Sequence, residues 1–131
     1  FLKCSSGEHL NNGRCVECSP GSYSLSYDGE ETKCRIGCPT GSTECYKNIM
    51  KLKSGYWRES NVTSLVYECP FGNVACKGGI ETADDSCAEG YEGPLCAVCS
   101  NGYYFQSVDS TCQVCPESKM NLFSILFVVV V

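Results

Sequence analysis

The chain is short of the residues that build an ordinary globular core. Leu, Ile, Val and Phe make up about 16 % of its first 121 residues, below the roughly 20 % under which apolar burial fails to offset the entropy of ordering a chain. The overall hydrophobic fraction of 43 % hides this, because it counts cysteine and an apolar C-terminal run. Histidine is almost absent. His9, beside Glu8 in a Gly/Asn-rich stretch, is the only one, so no Ser/His/Asp or Cys/His catalytic arrangement assembles without it, and it reads as a surface residue. Positive charge is also scarce. Ten Lys and Arg against 15 Asp and Glu leave a net charge of −5, which excludes the basic face that nucleic-acid binding requires. The chain has no phosphate-binding glycine loop, no EF-hand loop and no helical periodicity long enough for a thioredoxin-like scaffold. The acidic stretches Asp84-Asp85 and Asp28-Gly29-Glu30-Glu31 read as solvated turns. No cofactor, no metal and no enzymatic activity are expected.

Cysteine, in contrast, is abundant, with 13 in 131 residues. At this density it places the chain in an oxidising compartment, on a cell surface or secreted. A body so poor in apolar side chains is stapled by disulfides or it is disordered, and the spacing favours several small modules over one shared core. Because 13 is odd, one cysteine is expected to bond upstream of Phe1 or with another chain.

The two ends carry further expectations. No basic stretch followed by an apolar run precedes the first cysteine, so any signal peptide is expected to have been removed or to lie outside these residues. At the other end, Leu122 to Val131 carries no charge and follows Lys119 closely. Ten residues span about 15 Å as a helix, roughly half a hydrocarbon core. The run reads as the start of a transmembrane helix, with a valine edge strand or an apolar plug against a neighbouring subunit as alternatives. In each case it is an attachment point.

One pattern occurs twice. The first copy contains Cys4, Cys15, Cys18-Ser19-Pro20-Gly21-Ser22-Tyr23, Cys34 and Cys38-Pro39. The second contains Cys87, Cys96, Cys99-Ser100-Asn101-Gly102-Tyr103-Tyr104, Cys112 and Cys115-Pro116. Gly21 and Gly102 can take positive φ in the turn after each Cys-x2-Cys. The β-prone residues that follow lead into turns at Asp28-Gly29 and around Asp109-Ser110, so each copy is expected to contain a short hairpin between two disulfides. Cys96-x2-Cys99-x12-Cys112-x2-Cys115 approaches zinc-ribbon spacing, but the surrounding Tyr/Gly/Pro pattern argues for disulfides.

These residues resemble ephrin-receptor-like and TNF-receptor-like cysteine-rich repeats, and Cys87 to Tyr104 also resembles the end of a laminin-type EGF module. Together with Gly55-Tyr56-Trp57-Arg58, Cys69-Pro70 and Cys76-Lys77-Gly78-Gly79, they are similar to juxtamembrane ectodomains of large surface proteins in protists and algae. The receptor-like resemblance implies a staggered pairing: Cys15–Cys34 and Cys18–Cys38, with Cys96–Cys112 and Cys99–Cys115 in the second copy. The laminin-like one implies Cys87–Cys96 and Cys99–Cys112, with Cys4–Cys15 and Cys18–Cys34 by analogy. The staggered scheme is preferred because it uses both members of each flanking pair. It leaves Cys76–Cys87 to close a Gly-rich loop, Cys45–Cys69 to close the middle segment, and Cys4 unpaired or bonded externally.

Residues 46–68 contain no cysteine and hold the only Trp. Tyr56-Trp57-Arg58 is expected to pair with Leu65-Val66-Tyr67 across a turn at Glu59 to Thr63. Trp57 reads first as the packing residue of a core-poor module. With Tyr56 and Arg58 it is also the possible contact surface for a partner. Lys47, Lys51, Lys53 and Arg58 read as a solvated face. Asn61-Val62-Thr63 is the only N-glycosylation sequon, and Asn61 at a turn is expected to carry an N-linked glycan.

The expected fold is small, disulfide-rich, loop-rich and all-β: elongated tandem EGF- or TNF-receptor-like modules ending in an apolar segment. The expected divisions are a first cysteine module at 1–45, a linking β segment at 46–68, a second, EGF-like module at 69–118, and a membrane or assembly segment at 119–131. The expected role is a non-catalytic structural or adhesive segment of a cell-surface membrane protein, with adjacent domains or other copies as protein partners. The alternatives are a glycosylated subunit of an extracellular fibre and a ligand-binding receptor module.

Overall fold

Six glycines organise the chain. In a computed structural model, which describes residues 3–25 and 33–116, Gly7, Gly21, Gly41, Gly55, Gly90 and Gly102 have φ between +87° and +95°. Each is the third residue of a four-residue turn closed by a backbone hydrogen bond: Glu8 to Ser5, Ser22 to Ser19, Ser42 to Pro39, Tyr56 to Lys53, Tyr91 to Ala88, and Tyr103 to Ser100. A positive φ at that position is what a type II turn demands, and glycine adopts it without steric cost.

Each glycine opens a two-stranded antiparallel sheet. The strands are β1 (Glu8–Asn11) with β2 (Arg14–Glu17), β3 (Ser22–Tyr23) with β4 (Arg35–Ile36), and β5 (Ser42–Tyr46) with β6 (Ile49–Leu52). They continue as β7 (Tyr56–Trp57) with β8 (Tyr67–Glu68), β9 (Tyr91–Glu92) with β10 (Val98–Cys99), and β11 (Tyr103–Gln106) with β12 (Thr111–Val114). The residue directly after each second strand then donates its N–H to the carbonyl of that opening glycine. Cys18 bonds Gly7, Gly37 bonds Gly21, Lys53 bonds Gly41, Cys69 bonds Gly55, Ser100 bonds Gly90 and Cys115 bonds Gly102, all at 2.8 or 2.9 Å. Each copy of the sequence pattern thus spans two units, and the two copies make four members of a sixfold repeat.

Local chemistry explains the individual hairpins. Asn12 and Gly13, at φ +49° and +77°, form the two-residue loop between β1 and β2, an Asn-Gly pair suited to the primed turns that match strand twist. His9 therefore lies in a strand, paired with Val16, rather than in a loop. The hairpin expected around Asp109-Ser110 is β11–β12, with Phe105 opposite Cys112. The turn expected at Asp28-Gly29 lies outside the described residues. The β7–β8 pair forms as Trp57 opposite Tyr67, while Leu65 and Val66 stay outside the strand. The β5–β6 hairpin runs through residue 45, where the sequence suggests a module edge, because Cys45 pairs with Met50 on the returning strand.

The disulfides join Cys4–Cys15, Cys18–Cys34, Cys38–Cys45, Cys69–Cys76, Cys87–Cys96 and Cys99–Cys112. None of the preferred pairs Cys15–Cys34, Cys18–Cys38, Cys96–Cys112, Cys99–Cys115, Cys76–Cys87 and Cys45–Cys69 is made, and Cys4 is bonded. The reason is distance. A bridge requires Cα atoms within about 4.4–6.8 Å, and the hairpins bring together cysteines of the same unit, at 5.4 Å for Cys4–Cys15 and 5.8 Å for Cys18–Cys34. Staggered bridges would join neighbouring units instead. Leu95 and Cys96, both left-handed at φ +60° and +52°, turn Cys96 back toward Cys87. Cys76 and Cys87 do face each other as an isolated backbone bridge, but their sulfurs are committed elsewhere. Cys115 is the free thiol, and it is exposed.

The buried side chains form two clusters. Tyr23, Leu25, Cys45, Met50 and Leu52 make the first, with Val66 and Tyr56 packed against it. The second is built around Trp57, Ala75 and Tyr91 together with five cysteines, so disulfide sulfur supplies much of the apolar volume that the aliphatic residues do not. Three short 3-10 turns, Gly72–Val74, Ala83–Ser86 and Pro94–Cys96, lie beside it. Among the described residues, no helix is long and apolar enough to cross a membrane. The apolar segment 122–131 lies outside the described residues.

Candidate functional site

The cysteine-free stretch concentrates the residues that the sequence singles out. Trp57 follows the turn glycine Gly55 on β7, whose alternation directs it inward. It is buried, with its ring centroid 6.5 Å from that of Tyr67. Its indole Nε1–H donates to the carbonyl of Ala83 at 3.1 Å. Arg58, next along, is only 2 % exposed. Its Nη1 donates to the Thr63 carbonyl at 3.3 Å, while its Nε has no partner. Burial holds its pKa below the usual guanidinium value, because desolvation penalises the charged form. Its own carbonyl accepts from the Ala83 N–H at 2.9 Å. Trp57 and Arg58 together therefore clamp Ala83.

This placement corrects the contact-surface expectation. Trp57 and Arg58 are buried and Tyr56 is half-buried, with its ring lying against Gly41. They are a packing unit, and the exposed aromatic beside them is Tyr67, opposite Trp57 on β8. Asn61 is exposed in the loop between β7 and β8. The Thr63 hydroxyl of its sequon accepts from the Leu65 N–H at 3.2 Å.

Groups able to do chemistry are few and engaged. His9 is half-buried, with Nδ1 3.1 Å from the Cys34 sulfur. His9, Cys18 and Cys34 place their ligand atoms within 4.8 Å of one another, as do Cys4, Glu8 and Cys15. In each trio the two sulfurs are bonded to one another, and a disulfide sulfur is not the thiolate that metals and nucleophilic chemistry require. The zinc-ribbon spacing dissolves likewise, since Cys96 bonds Cys87, Cys99 bonds Cys112, and only Cys115 keeps a thiol. An open groove of about 520 Å³ is lined by Pro20, Gly21, Thr43, Glu44, Tyr46 and the Cys38–Cys45 bridge. Glu44, on its wall, is 3.9 Å from Lys51. Tyr103 donates to Glu89 at 3.2 Å. Its pKa is raised by burial first, and then by the Glu89 charge and this hydrogen bond.

What the sequence reading missed is the unit itself. The signal was present as Cys-x2-Gly at Cys4, Cys18, Cys38, Cys87 and Cys99. The same spacing at Cys34, Cys69 and Cys76 opens no hairpin, so spacing alone overcounts.

The architecture defines a cysteine-rich repeat module: short hairpins, a glycine turn before each, and bridges closing over short distances. One curated protein agrees with that class. The chain is 27 % identical over 124 residues to "Cysteine repeat modular protein 2" of Tetrahymena thermophila, a match covering 83 % of this chain and 6 % of that protein. The chain thus spans a small fraction of the relative's length. No family model and no solved structure matches it.

Proposed function

We propose that this chain is a non-catalytic structural segment of a larger cell-surface protein, one stretch of a tandem array that spaces and stiffens an extracellular region. The observation that carries this reading is the sixfold unit, in which the same glycine turn, hairpin and closing hydrogen bond recur while the bridges stay short in sequence. Such bridges stabilise small core-poor units by about 2–4 kcal/mol each, and they persist only where the environment is oxidising. Similarity to a protein named for its cysteine repeats supports the same class. Within this reading the partners are the adjoining modules of the same protein, Asn61 carries an N-linked glycan, and the charge-free residues 122–131 contact a membrane.

Labelling of intact cells with a membrane-impermeant amine reagent, followed by non-reducing peptide mapping, tests the proposal. The segment is expected to be labelled without permeabilisation, with six bridges and a glycan at Asn61. A segment labelled only after permeabilisation, or recovered with reduced cysteines, overturns it. A regular helical lattice of the purified material in electron micrographs would move the assignment to a fibre subunit.

A further inference from the structure

The six bridges are distributed unevenly. Cys4–Cys15, Cys18–Cys34 and Cys38–Cys45 all precede residue 46, and Cys69–Cys76, Cys87–Cys96 and Cys99–Cys112 all follow residue 68. None joins the two sets, and Cys115 is the only thiol left.

The fourth unit, opened by Gly55 and closed by Cys69, is the one without a bridge. Leu52 stands three residues before Gly55, where Cys4, Cys18, Cys38, Cys87 and Cys99 stand before their glycines. Val66 stands three residues before Cys69, as Cys15, Cys34 and Cys112 stand before the residues that close their units. Leu52 is buried, and Val66 packs against the same cluster. Apolar residues of one cluster thus stand at the two sequence positions that bridged cysteines hold in the first, second and sixth units.

Across this unit the two bridged sets are joined by the backbone and by non-covalent contacts. Leu52 and Gly79 exchange two backbone hydrogen bonds of 3.0 and 2.9 Å. Gly55 N–H and Ser54 Oγ both donate to the Cys76 carbonyl. Trp57 reaches Ala83, and Tyr56 covers Gly41. In a bridged unit the disulfide carries load and the enclosed chain cannot be drawn out. In the fourth unit the load falls on hydrogen bonds and apolar packing.

We propose that residues 46–68 act as a releasable strap, which parts first under tension while the bridged sets on either side hold, so that the chain lengthens by a bounded amount and stops. Drawn out at about 3.5 Å per residue, the span between Cys45 and Cys69 reaches about 80 Å, and the next longest unbridged span, Cys76 to Cys87, about 40 Å. The load-bearing role rests on the structural reading above, but the mechanical property belongs to the isolated chain. An enzymatic or ligand-binding activity would overturn the first and leave the second in place.

The test is to stretch the chain by its ends in an optical trap under non-reducing conditions. The expected first event is a single release of no more than about 80 Å, taking the Cys45-to-Cys69 span at its full reach. In the double variant Leu52→Cys/Val66→Cys, once mass spectrometry shows the new bridge, this event is expected to shorten by about 50 Å, since the bridge encloses 14 of the 24 residues of the span. In Trp57→Ala it is expected at lower force with the same length. A first event longer than this, no release before bridged units fail, or an unchanged release in the cross-linked variant overturns the proposal. If the double variant does not oxidise, an unchanged release force in Trp57→Ala overturns it.

Discussion

Gly90 lies against the ring of Tyr103, so close that a Cβ on it would stand 2.8 Å from two ring carbons. Gly41 meets Tyr56 in the same way. In both pairs the turn glycine of one unit is covered by the first aromatic residue of the next, so the φ requirement and the packing between units fall on one residue. Gly102, at φ +87°, has no atom of the described residues within 4 Å of a Cβ position.

The two sites separate the two requirements. Gly102→Ala is expected to cost about 1–2 kcal/mol through backbone strain alone. Gly90→Ala adds displacement of the Tyr103 ring and is expected to cost about 3 kcal/mol. Denaturant melts with the bridges intact measure the difference, and equal costs would show that the ring yields freely.

Trp57 is both a core residue and a clamp. Trp57→Phe keeps most of the volume and loses the bond to the Ala83 carbonyl, for an expected loss of about 1 kcal/mol. Trp57→Ala is expected to lose about 3–5 kcal/mol. Because Ser86 Oγ also donates to that carbonyl, at 2.7 Å, the phenylalanine variant leaves it partnered, which is why its penalty stays small. Thermal melts followed by far-ultraviolet circular dichroism read both variants.

Arg58 makes the opposite prediction. Burial sets its folded pKa below the ordinary guanidinium value of the unfolded chain, so the folded state holds the proton less tightly than the unfolded one. The penalty is present at every pH below the folded pKa and is relieved only as pH rises through that value toward the unfolded one. Arg58 therefore contributes no pH slope near neutrality. Arg58→Met, which fills similar volume without a charge or an unpartnered Nε, is expected to leave stability unchanged or to raise it by about 1–2 kcal/mol. A loss larger than that would show that the Thr63 contact outweighs desolvation.

Cys115 is expected to be the single site alkylated in the native, non-reduced protein. Cys115→Ser is expected to change stability by no more than about 0.5 kcal/mol. Cys4→Ser, in contrast, removes a bridge, exposes Cys15 to alkylation as a second site, and is expected to cost about 2–4 kcal/mol. Mass spectrometry of alkylated protein counts the sites, and labelling of Cys4 in the unmodified chain would contradict the pairing.

Residues near in sequence were the readable ones. The hairpin at β11–β12 followed from the β-prone run Tyr103 to Val108 leading into a turn at Asp109-Ser110, and the need for bridges followed from the shortage of aliphatic side chains. Trp57 as a packing residue followed from its being the only tryptophan of a core-poor chain. Arg58 could not be anticipated as buried, because its place beside Ala83 depends on a segment 25 positions away in sequence.

The sequence by itself determined that this is an oxidised, core-poor, hairpin-built chain, because composition limits what can be buried and turn residues limit the local backbone. Only the tertiary structure decided which cysteines meet and how many units there are. A bridge depends on Cα atoms coming within a few ångströms, and that distance is set when a hairpin closes on its opening glycine, a contact between residues 10 to 16 positions apart. Cysteine spacing is compatible with several pairings. The closing hydrogen bond selects one, and in the unit without a bridge Leu52 and Val66 take the sequence positions of the cysteines and pack into one apolar cluster.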